Sequence, residues 1–277
     1  MVDAKCSMLP KMPTLIQFDG LKLHYSVVGD RSRPPLVLIH SLAACSEIWA
    51  LQVALLSHWF RVITYDLRGH GASEVNSGFT MGDLAKDVVA LLDELGIEEA
   101  GVVGLSIGGA IVQTLALQVP DRVAAMAICC SASELSEASR KIMSERISIV
   151  EALGMESQTD STLARWFTPD FRTQSPATLS WVAQQIEKTS VAGYVGCSRA
   201  LQQLALTDRL GELSLPVLVI SAEEDAGFPP ATGEAMHARI PNSQFAVIPS
   251  AAHLANVEQP IRFTELLVAF FREHLGE

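Results

Sequence analysis

The amino-acid sequence predicts an α/β protein, with a mostly parallel central sheet flanked by helices and a helical segment inserted late in the sheet. Three observations predict it. Short apolar runs recur along the chain, segments with helical periodicity separate them, and one long polar segment interrupts this alternation. Strands that alternate with helices form βαβ units, in which the strands lie parallel.

The first two predicted strands form a hairpin. Residues 15–18 and 21–28 flank Asp19-Gly20, a dipeptide that favours a tight turn between two strands. Six later runs are continuously apolar, as expected of strands that are buried on both faces of a parallel sheet. These runs are residues 34–40, 60–66, 100–106, 122–130, 216–225 and 243–253.

Helical segments are predicted between these runs. Residues 81–95 carry leucine and valine on one helical stripe, and Gly96 follows as a stop signal. Further helices are predicted over residues 47–59, 109–119, 233–239 and 260–275.

The alternation is interrupted between residues 131 and 213. This segment is rich in Ser, Glu, Arg and Gln, and it contains several amphipathic helical patterns but no obvious buried strand. We therefore predict a core built from residues 1–130 and 214–277, and a helical cap formed by residues 131–213.

The composition limits the class of protein. The 277 residues are 49% hydrophobic and 18% charged, which is ordinary for a globular protein. The net charge of −11 disfavours nucleic acid and anionic membrane surfaces as partners. No apolar run approaches the ~18 residues of a membrane span, and residues 1–13 contain no apolar segment of a signal peptide. The five cysteines lack metal-site spacing, and we interpret most as buried thiols of a cytoplasmic protein.

A serine lies between two glycines at the predicted junction of a strand and a helix. The stretch Gly104-Leu105-Ser106-Ile107-Gly108 has the G-x-S-x-G pattern of a strained turn that exposes a nucleophilic serine. The neighbours two residues away on each side come close together in such a turn, so they must be small. The alternative is a glycine turn with an incidental serine, and the flanking strand and helix favour the nucleophile.

A serine nucleophile needs a base, and the sequence favours His253. The chain has seven histidines, which are His24, His40, His58, His70, His237, His253 and His274. His253 follows the last predicted strand and precedes the terminal helix, so it lies in a loop at the end of the sheet. His58 and His274 lie in helical patterns and His24 in the hairpin, which makes them weaker candidates.

The base needs a carboxylate that orients it. Glu223, Glu224 and Asp225 follow a buried strand, and the order serine, acid, histidine is that of the triad on such sheets. We choose Asp225 because a tight loop follows it, and Glu224 is its rival. The oxyanion donors are then the backbone N–H of Ile107, after the nucleophile, and that of Leu42, in the loop after the third strand.

These segments together resemble the α/β-hydrolase family over nearly the whole chain beyond the first ten residues. The closer resemblance is to 3-oxoadipate enol-lactonases, which hydrolyse a small anionic enol-lactone in bacterial aromatic catabolism. The resemblance implies the α/β-hydrolase fold, no metal or organic cofactor, and a lid over the active site. It is carried by Ser41-Leu42, Trp49, RGHGAS (68–73), GLSIGG (104–109), RWFTPDFR (165–172) and HLANVEQP (253–260).

The chain also departs from the enol-lactonase pattern at the rim of the expected site. That family usually has Asn before the Ser-Leu pair and Gly-Thr after it, where this chain has His40 and Ala43-Ala44. The usual Gly-x-x-Asp turn is replaced by a turn that starts at Ala222, and Phe228 precedes Pro229 in place of a small polar residue. These departures bear on the substrate and leave the triad unchanged.

The pocket is predicted from the lid and the loops. Ser41, Trp166 and Phe228 are expected to line it, and an arginine of the lid is expected to meet a substrate carboxylate because its fork suits carboxylates. Arg140, Arg165 and Arg172 are the candidates, with a surface helix position as the alternative for each. Cys45 follows the oxyanion loop and is either a pocket residue or a small core residue.

We therefore expect a serine hydrolase that cleaves a small lactone or carboxylic ester through an acyl-enzyme, with 3-oxoadipate enol-lactone as one candidate substrate. A serine nucleophile argues against haloalkane dehalogenases and most epoxide hydrolases, which use aspartate. The alternatives on the same scaffold are a general carboxylesterase, an acyl-homoserine lactonase, a carbon–carbon bond hydrolase and a perhydrolase. An alternative from another class is a ligand receptor that keeps the triad.

Overall fold

The computed structural model describes residues 14–18 and 20–276. Asp19, Cys6 and the N-terminal segment in which we predict no signal peptide lie outside the described residues. The predicted hairpin is confirmed, because β1 (Thr14–Phe18) pairs antiparallel with β2 (Leu21–Val28), with Phe18 opposite Leu21.

Six further strands complete the sheet, each within one of the predicted apolar runs. They are β3 (Pro35–Ile39), β4 (Arg61–Tyr65), β5 (Ala100–Leu105), β6 (Val123–Cys129), β7 (Val217–Ala222) and β8 (Ser243–Ile248). The strand order is β1-β2-β4-β3-β5-β6-β7-β8. β2 is antiparallel to β4, and every pair from β4 to β8 is parallel, which confirms the mostly parallel sheet.

Helices connect the strands and cover the sheet. They are α1 (Ala50–Leu56), α2 (Met81–Glu94), α3 (Ile107–Gln118), α4 (Glu137–Leu153), α5 (Thr159–Trp166), α6 (Pro169–Gln174), α7 (Pro176–Lys188), α8 (Val191–Gln202), α9 (Pro230–His237), α10 (Ala255–Glu258) and α11 (Pro260–Leu275). The predicted helix 47–59 is in fact two elements, since a 3-10 helix (Ser46–Trp49) precedes α1. Within residues 20–276, no helix has both the length and the apolarity that crossing a membrane requires.

The central strands are buried on both faces. Leu36 and Leu38 belong to one apolar cluster, whereas Val37 and Ile39 belong to the cluster on the opposite face of the sheet. This alternation follows from the two-residue period of a strand. It explains why these runs are continuously apolar rather than half polar.

The segment 131–213 leaves the sheet after β6 and returns to it at β7. It contains α4 to α8 and two 3-10 helices (Met155–Gln158 and Thr207–Glu212), and we call it the helical insertion. One isolated bridge between Glu134 and Ala205 joins the two ends of this segment.

The loops that carry the predicted catalytic residues all follow parallel strands. The Ser41 loop follows β3, Ser106 follows β5, the Asp225 loop follows β7 and the His253 loop follows β8. Because parallel strands place their carboxyl ends at one edge of the sheet, these loops meet there.

Candidate active site

Ser106 occupies a tight turn between β5 and α3. Its backbone angles are φ 59° and ψ −114°, in a region that residues other than glycine rarely adopt. The Ser106 N–H donates to the Cys129 carbonyl oxygen at 2.9 Å, and the Ser131 hydroxyl donates to the Ser106 carbonyl oxygen at 2.7 Å. The end of β6 and Ser131, which follows it, therefore hold the serine in a strained conformation of the kind found at functional sites.

The two glycines of the motif are required by close backbone contacts. A Cβ atom on Gly104 would lie 2.1 Å from the Gly108 carbonyl oxygen. A Cβ atom on Gly108 would lie 2.3 Å from the Ile39 carbonyl oxygen. Any side chain at either position would move the serine or the adjacent strand.

His253 and Asp225 form a buried hydrogen-bonded pair. The His253 Nδ1 lies 2.7 Å from the Asp225 Oδ2. A carboxylate only accepts, so Nδ1 carries the proton and Nε2 is left as the acceptor in the neutral imidazole. The other oxygen, Oδ1, accepts from the N–H groups of Gly227 at 2.9 Å and Phe228 at 3.1 Å, which fixes the carboxylate.

Glu224, the rival acid, is exposed and does not contact His253. Its neighbour Glu223 accepts a hydrogen bond from the Ser250 N–H at 2.9 Å and is exposed as well. Among the three acidic residues after β7, Asp225 is the one whose carboxylate adjoins the imidazole.

Two aromatic rings flank the His253 imidazole. The ring of Trp166, at the end of α5, is stacked on it with centroids 6.4 Å apart and planes 30° apart. The Phe228 ring approaches it with centroids 5.7 Å apart. These contacts restrict the rotation of the imidazole and limit the access of water to it.

The loop after β3 is held by two buried histidines. The Ala43 N–H donates to His70 Nε2 at 3.1 Å, and Ala43 has a positive φ of 62°. The His70 Nδ1 donates to the Arg68 carbonyl oxygen at 2.9 Å. His40 acts in the same way, because its Nδ1 donates to the Ser41 carbonyl oxygen at 2.7 Å while its Nε2 accepts from the Leu67 N–H at 2.9 Å.

Both imidazoles must be neutral to accept these bonds. Burial, together with the nearby His40, lowers the pKa of His70 to about 3. Burial also lowers the pKa of His40. Each ring therefore offers Nε2 as an acceptor near neutral pH.

The predicted oxyanion donors lie beside the serine. Ile107 is the first residue of α3, where backbone N–H groups have no acceptor within the helix. The Ala43 and Ala44 N–H groups donate to His70 and to the Ser41 carbonyl oxygen. The Leu42 N–H, by contrast, has no acceptor among residues 14–18 and 20–276, so it can serve a ligand.

One cavity of about 260 Å³ brings the predicted residues together. It is lined by Ser41, Leu42, Ser106, Arg165, Trp166, Asp225, Phe228 and His253. Two predicted arginines do not line it, which corrects the expectation for them. The Arg140 guanidinium lies against the Leu204 carbonyl oxygen at 3.4 Å, and Arg172 lies on α6, which contributes no lining residue.

Sequence reasoning missed Arg146 and Tyr194, which also line this cavity. Arg146 lies on a stripe of α4 with spacing i, i+3, i+4, i+7 that faces the cavity and consists of Ser139, Ile142, Met143 and Arg146. This spacing was readable in the sequence, but the direction in which the stripe faces depends on how α4 packs.

Two arginines, Arg146 and Arg165, line the cavity. Arg165 donates to the Ser161 carbonyl oxygen at 2.9 Å and to the Thr162 hydroxyl at 3.0 Å. Burial, and then the charge of Arg146, lower the pKa of Arg165 to about 10, while Tyr194 opposes the shift. Neither arginine forms an ion pair with a carboxylate in the described part of the chain. Two arginines without a carboxylate partner among the described residues therefore line the cavity.

Cys45 does not line the cavity but contacts the helical insertion. Its N–H donates to the Gln185 Oε1 at 3.2 Å, and its thiol lies 3.4 Å from the same oxygen. Burial, and then the charge of Asp66, raise the pKa of Cys45 to about 12. Gln185 thus connects α7 to the end of the loop after β3.

Two further observations concern other sites. A groove of about 670 Å³ between residues 75–80 and α8 contains none of the predicted catalytic residues. Within residues 14–18 and 20–276, no three His, Cys, Asp or Glu side chains are arranged to hold a metal ion.

Comparison with known proteins gives concordant matches. The family model described as the alpha/beta hydrolase fold matches residues 34–260. The 3-oxoadipate enol-lactonase 2 of Acinetobacter baylyi is 33% identical over 251 residues, which cover 90% of this chain and 93% of that protein.

Solved structures agree with these matches. The enol-lactonase from Burkholderia xenovorans LB400 superposes with a TM-score of 0.90 at 33% identity, covering 93% of this chain and 99% of that one. A thermophilic esterase from Thermogutta terrifontis, solved with malate bound, has a TM-score of 0.89 at 29% identity, covering 95% of this chain and 99% of that one.

Proposed function

Because the chain belongs to the α/β-hydrolase family, we propose that it is a serine hydrolase that cleaves a small lactone or carboxylic ester through an acyl-enzyme. The observation that carries this proposal is the Asp225–His253 pair at 2.7 Å, in the same cavity that Ser106 lines. In the proposal Ser106 is the nucleophile, His253 the general base and acid, and Asp225 the group that fixes the imidazole tautomer.

The reaction follows from these roles. Ser106 Oγ attacks the acyl carbon while His253 Nε2 takes the hydroxyl proton, which gives a tetrahedral oxyanion. The bond to the leaving oxygen then breaks, and His253 gives the proton to the departing alkoxide or enolate. Water next attacks the acyl-enzyme and loses a proton to the same imidazole, which returns it to Ser106 as the acid leaves. In a lactone the leaving oxygen stays attached to the acyl chain.

The backbone N–H groups of Leu42 and Ile107 are the proposed oxyanion donors. Backbone donors that are already oriented need no reorganisation when the charge develops. His70 supports this role because its Nε2 accepts from the Ala43 N–H in the loop that carries Leu42, and His40 supports it because its Nε2 anchors the start of that loop to the Leu67 N–H.

The two arginines of the cavity favour a substrate with a carboxylate. A guanidinium binds a carboxylate through charge-assisted hydrogen bonds. The two arginines favour an anionic substrate and the relatives include enol-lactonases, so we propose 3-oxoadipate enol-lactone as the first candidate.

The remaining features of the proposal concern organisation and partners. Residues 131–213 act as a lid on a core formed by residues 1–130 and 214–277, and they supply the apolar wall at Trp166. The partner is a small ester or lactone, with no nucleic acid, membrane or cofactor required. The buried free thiols of Cys45, Cys129, Cys130 and Cys197 suit the cytoplasm.

A substrate panel with the Ser106→Ala variant tests the hydrolase proposal. The panel contains 4-nitrophenyl acetate, the enol-lactone formed from muconolactone and an acyl-homoserine lactone. We expect S106A to lose at least ~10⁴-fold in kcat, since the nucleophile and base act as a unit. If wild type and S106A share one background rate on every substrate, the hydrolase proposal fails. Asp225→Asn and Glu224→Gln test which of the two acids orients His253. Loss of activity in E224Q alone overturns the assignment of Asp225.

Paired substrates test the carboxylate preference. Mono-4-nitrophenyl succinate and 4-nitrophenyl butyrate are similar in size and differ in charge. A charge-assisted hydrogen bond contributes about 1.5–3 kcal/mol, so Arg165→Gln and Arg146→Gln should each raise KM for the succinate by about 10-fold or more and leave the butyrate unchanged. Arg140→Gln is the matched control on α4. Equal effects on both substrates would exclude a carboxylate site.

A further inference from the structure

Glu258 is a buried carboxylate that joins two walls of the candidate active site. It is the last residue of α10 and is 7% exposed. Its Oε1 accepts from the Thr168 N–H at 3.0 Å and also from the Thr168 hydroxyl. Its Oε2 accepts from the Ala252 N–H at 2.9 Å. Each oxygen thus serves a different part of the chain.

The two partners of Glu258 adjoin groups that face the substrate cavity. Ala252 directly precedes His253, and Thr168 lies two residues after Trp166. On the other side of the imidazole, the Leu254 N–H donates to the Trp166 carbonyl oxygen at 3.1 Å. The backbone on both sides of His253 is therefore linked to the segment that ends α5 and begins α6, directly at Leu254 and through the Glu258 carboxylate at Ala252.

We propose that Glu258 is a positioning residue that fixes the His253 loop to the helical insertion, and that it thereby sets the place of the imidazole beside Trp166. The proposal rests on the proposed function, in which His253 is the base. Glu258 touches neither the substrate cavity nor the reacting atoms, so its effect is exerted through Ala252 and Thr168.

The chemistry of the site requires a carboxylate. All three partners are donors, and a carboxylate is the side chain whose two oxygens both accept. A glutamine would turn its NH₂ group toward either the Thr168 or the Ala252 donors and leave a buried donor unsatisfied. The same reasoning does not hold for Glu223. Its carboxylate accepts from the Ser250 N–H in the loop that carries His253, but it is exposed, so water can replace the carboxylate as the acceptor.

Kinetics of Glu258→Gln, with Glu223→Gln as the matched control, give the first test. Misplacement of a catalytic group by about 1 Å can cost ~10²-fold in rate. We expect E258Q to lower kcat by about 10- to 100-fold with KM changed by less than about twofold, and E223Q to match wild type. Circular dichroism at the assay temperature confirms that each variant is folded. A kcat for E258Q equal to that of E223Q overturns the proposal.

Variants at Thr168 give a second test that does not depend on how well E258Q folds. Thr168→Val removes the hydroxyl donor and keeps the backbone bond, whereas Thr168→Ser keeps both. We expect T168V to lower kcat by a smaller factor than E258Q, and T168S to retain the wild-type kcat. The double variant should lose no more than E258Q alone, because both changes break one linkage. Additive losses, or equal losses in T168V and T168S, contradict the linkage.

Hydrogen exchange of the Ala252 and Leu254 amides tests the linkage without turnover. We expect these amides to exchange at least 10-fold faster in E258Q than in wild type, and no faster in E223Q. If the wild type hydrolyses no ester or lactone yet E258Q exchanges faster, the linkage is supported and the proposed function fails. Unchanged exchange in a folded E258Q overturns the linkage, whatever the activity of the wild type.

Discussion

Acidification should destabilise this protein through the two buried histidines, His40 and His70, that hold the loop after β3. His70 is neutral in the folded state, because burial and the nearby His40 lower its pKa from 6.5 to about 3. The unfolded chain takes up a proton near pH 6.5, whereas the folded chain does not until about pH 3. Because the folded-state pKa of His70 lies below its unfolded-state pKa, its contribution to the free energy of unfolding is fully present above pH 6.5. That contribution is lost as the pH falls toward the folded-state pKa of about 3.

The magnitude follows from the two pKa values of His70. Each pH unit between them lowers the free energy of unfolding by about 1.4 kcal/mol. At pH 5, which lies 1.5 below 6.5, His70 alone accounts for about 2 kcal/mol. His40 acts in the same direction, since burial lowers its pKa too. His24 acts in the opposite direction, because its hydrogen bond to Asp66 raises its pKa.

His70→Gln isolates this contribution. A glutamine oxygen can accept from the Ala43 N–H but does not titrate. Urea unfolding, followed by circular dichroism at pH 7 and pH 5, gives the free energy of unfolding of each protein. Between pH 7 and pH 5, we expect the free energy of unfolding to fall by about 2 kcal/mol less in H70Q than in wild type. The exposed His58→Gln is the control. The same loss in wild type and H70Q would refute the assignment of a buried neutral imidazole.

Three further outcomes are expected. Gly108→Ala should lower the free energy of unfolding by about 3 kcal/mol in urea titrations, because its Cβ would lie 2.3 Å from the Ile39 carbonyl oxygen; an alanine variant of wild-type stability would contradict this contact. Asp87→Asn should lower the free energy of unfolding in urea titrations by about 3–5 kcal/mol. The substitution removes the charge that pairs with the buried Arg68 at 2.6 Å. Cys45 should resist iodoacetamide at pH 8 in the folded protein and react in urea, because a pKa of about 12 leaves a thiolate fraction of about 10⁻⁴. Mass spectrometry of the Cys45 peptide measures this, and rapid labelling of the folded protein would be inconsistent with a buried thiol.

The approach of Asp225 to His253 could be predicted from the sequence for a topological reason. Each residue follows a continuously apolar run, such runs form parallel strands, and parallel strands end at one edge of the sheet. The turn at Ser106 could be predicted as well, because glycines at positions 104 and 108 answer a steric demand that is local in sequence.

The arginines of the cavity could not be predicted in this way. Arg140 and Arg146 lie on the same helix, six residues apart, and α4 turns Arg146 to the cavity and Arg140 to Leu204. That rotation is set by packing, since Ile147 and Val150 form the buried face of α4. The prediction of one continuous helix over residues 47–59 was wrong for a similar reason. Residues Ser46–Trp49 form a 3-10 helix before α1, and hydrophobic periodicity does not distinguish the two kinds of helix.

The bonds that join the helical insertion to the loops of the core bear on how such proteins can be recombined. Gln185 accepts from the Cys45 N–H, and the Trp166 carbonyl oxygen accepts from the Leu254 N–H. A chimera that received residues 131–213 from a relative without an acceptor side chain at position 185, or with its backbone displaced at position 166, would leave a buried amide without a partner, at a cost of about 1–3 kcal/mol for each. Exchanging this segment alone therefore preserves stability only where the donor segment retains both acceptors, and otherwise the segment and both loops have to be exchanged as one unit.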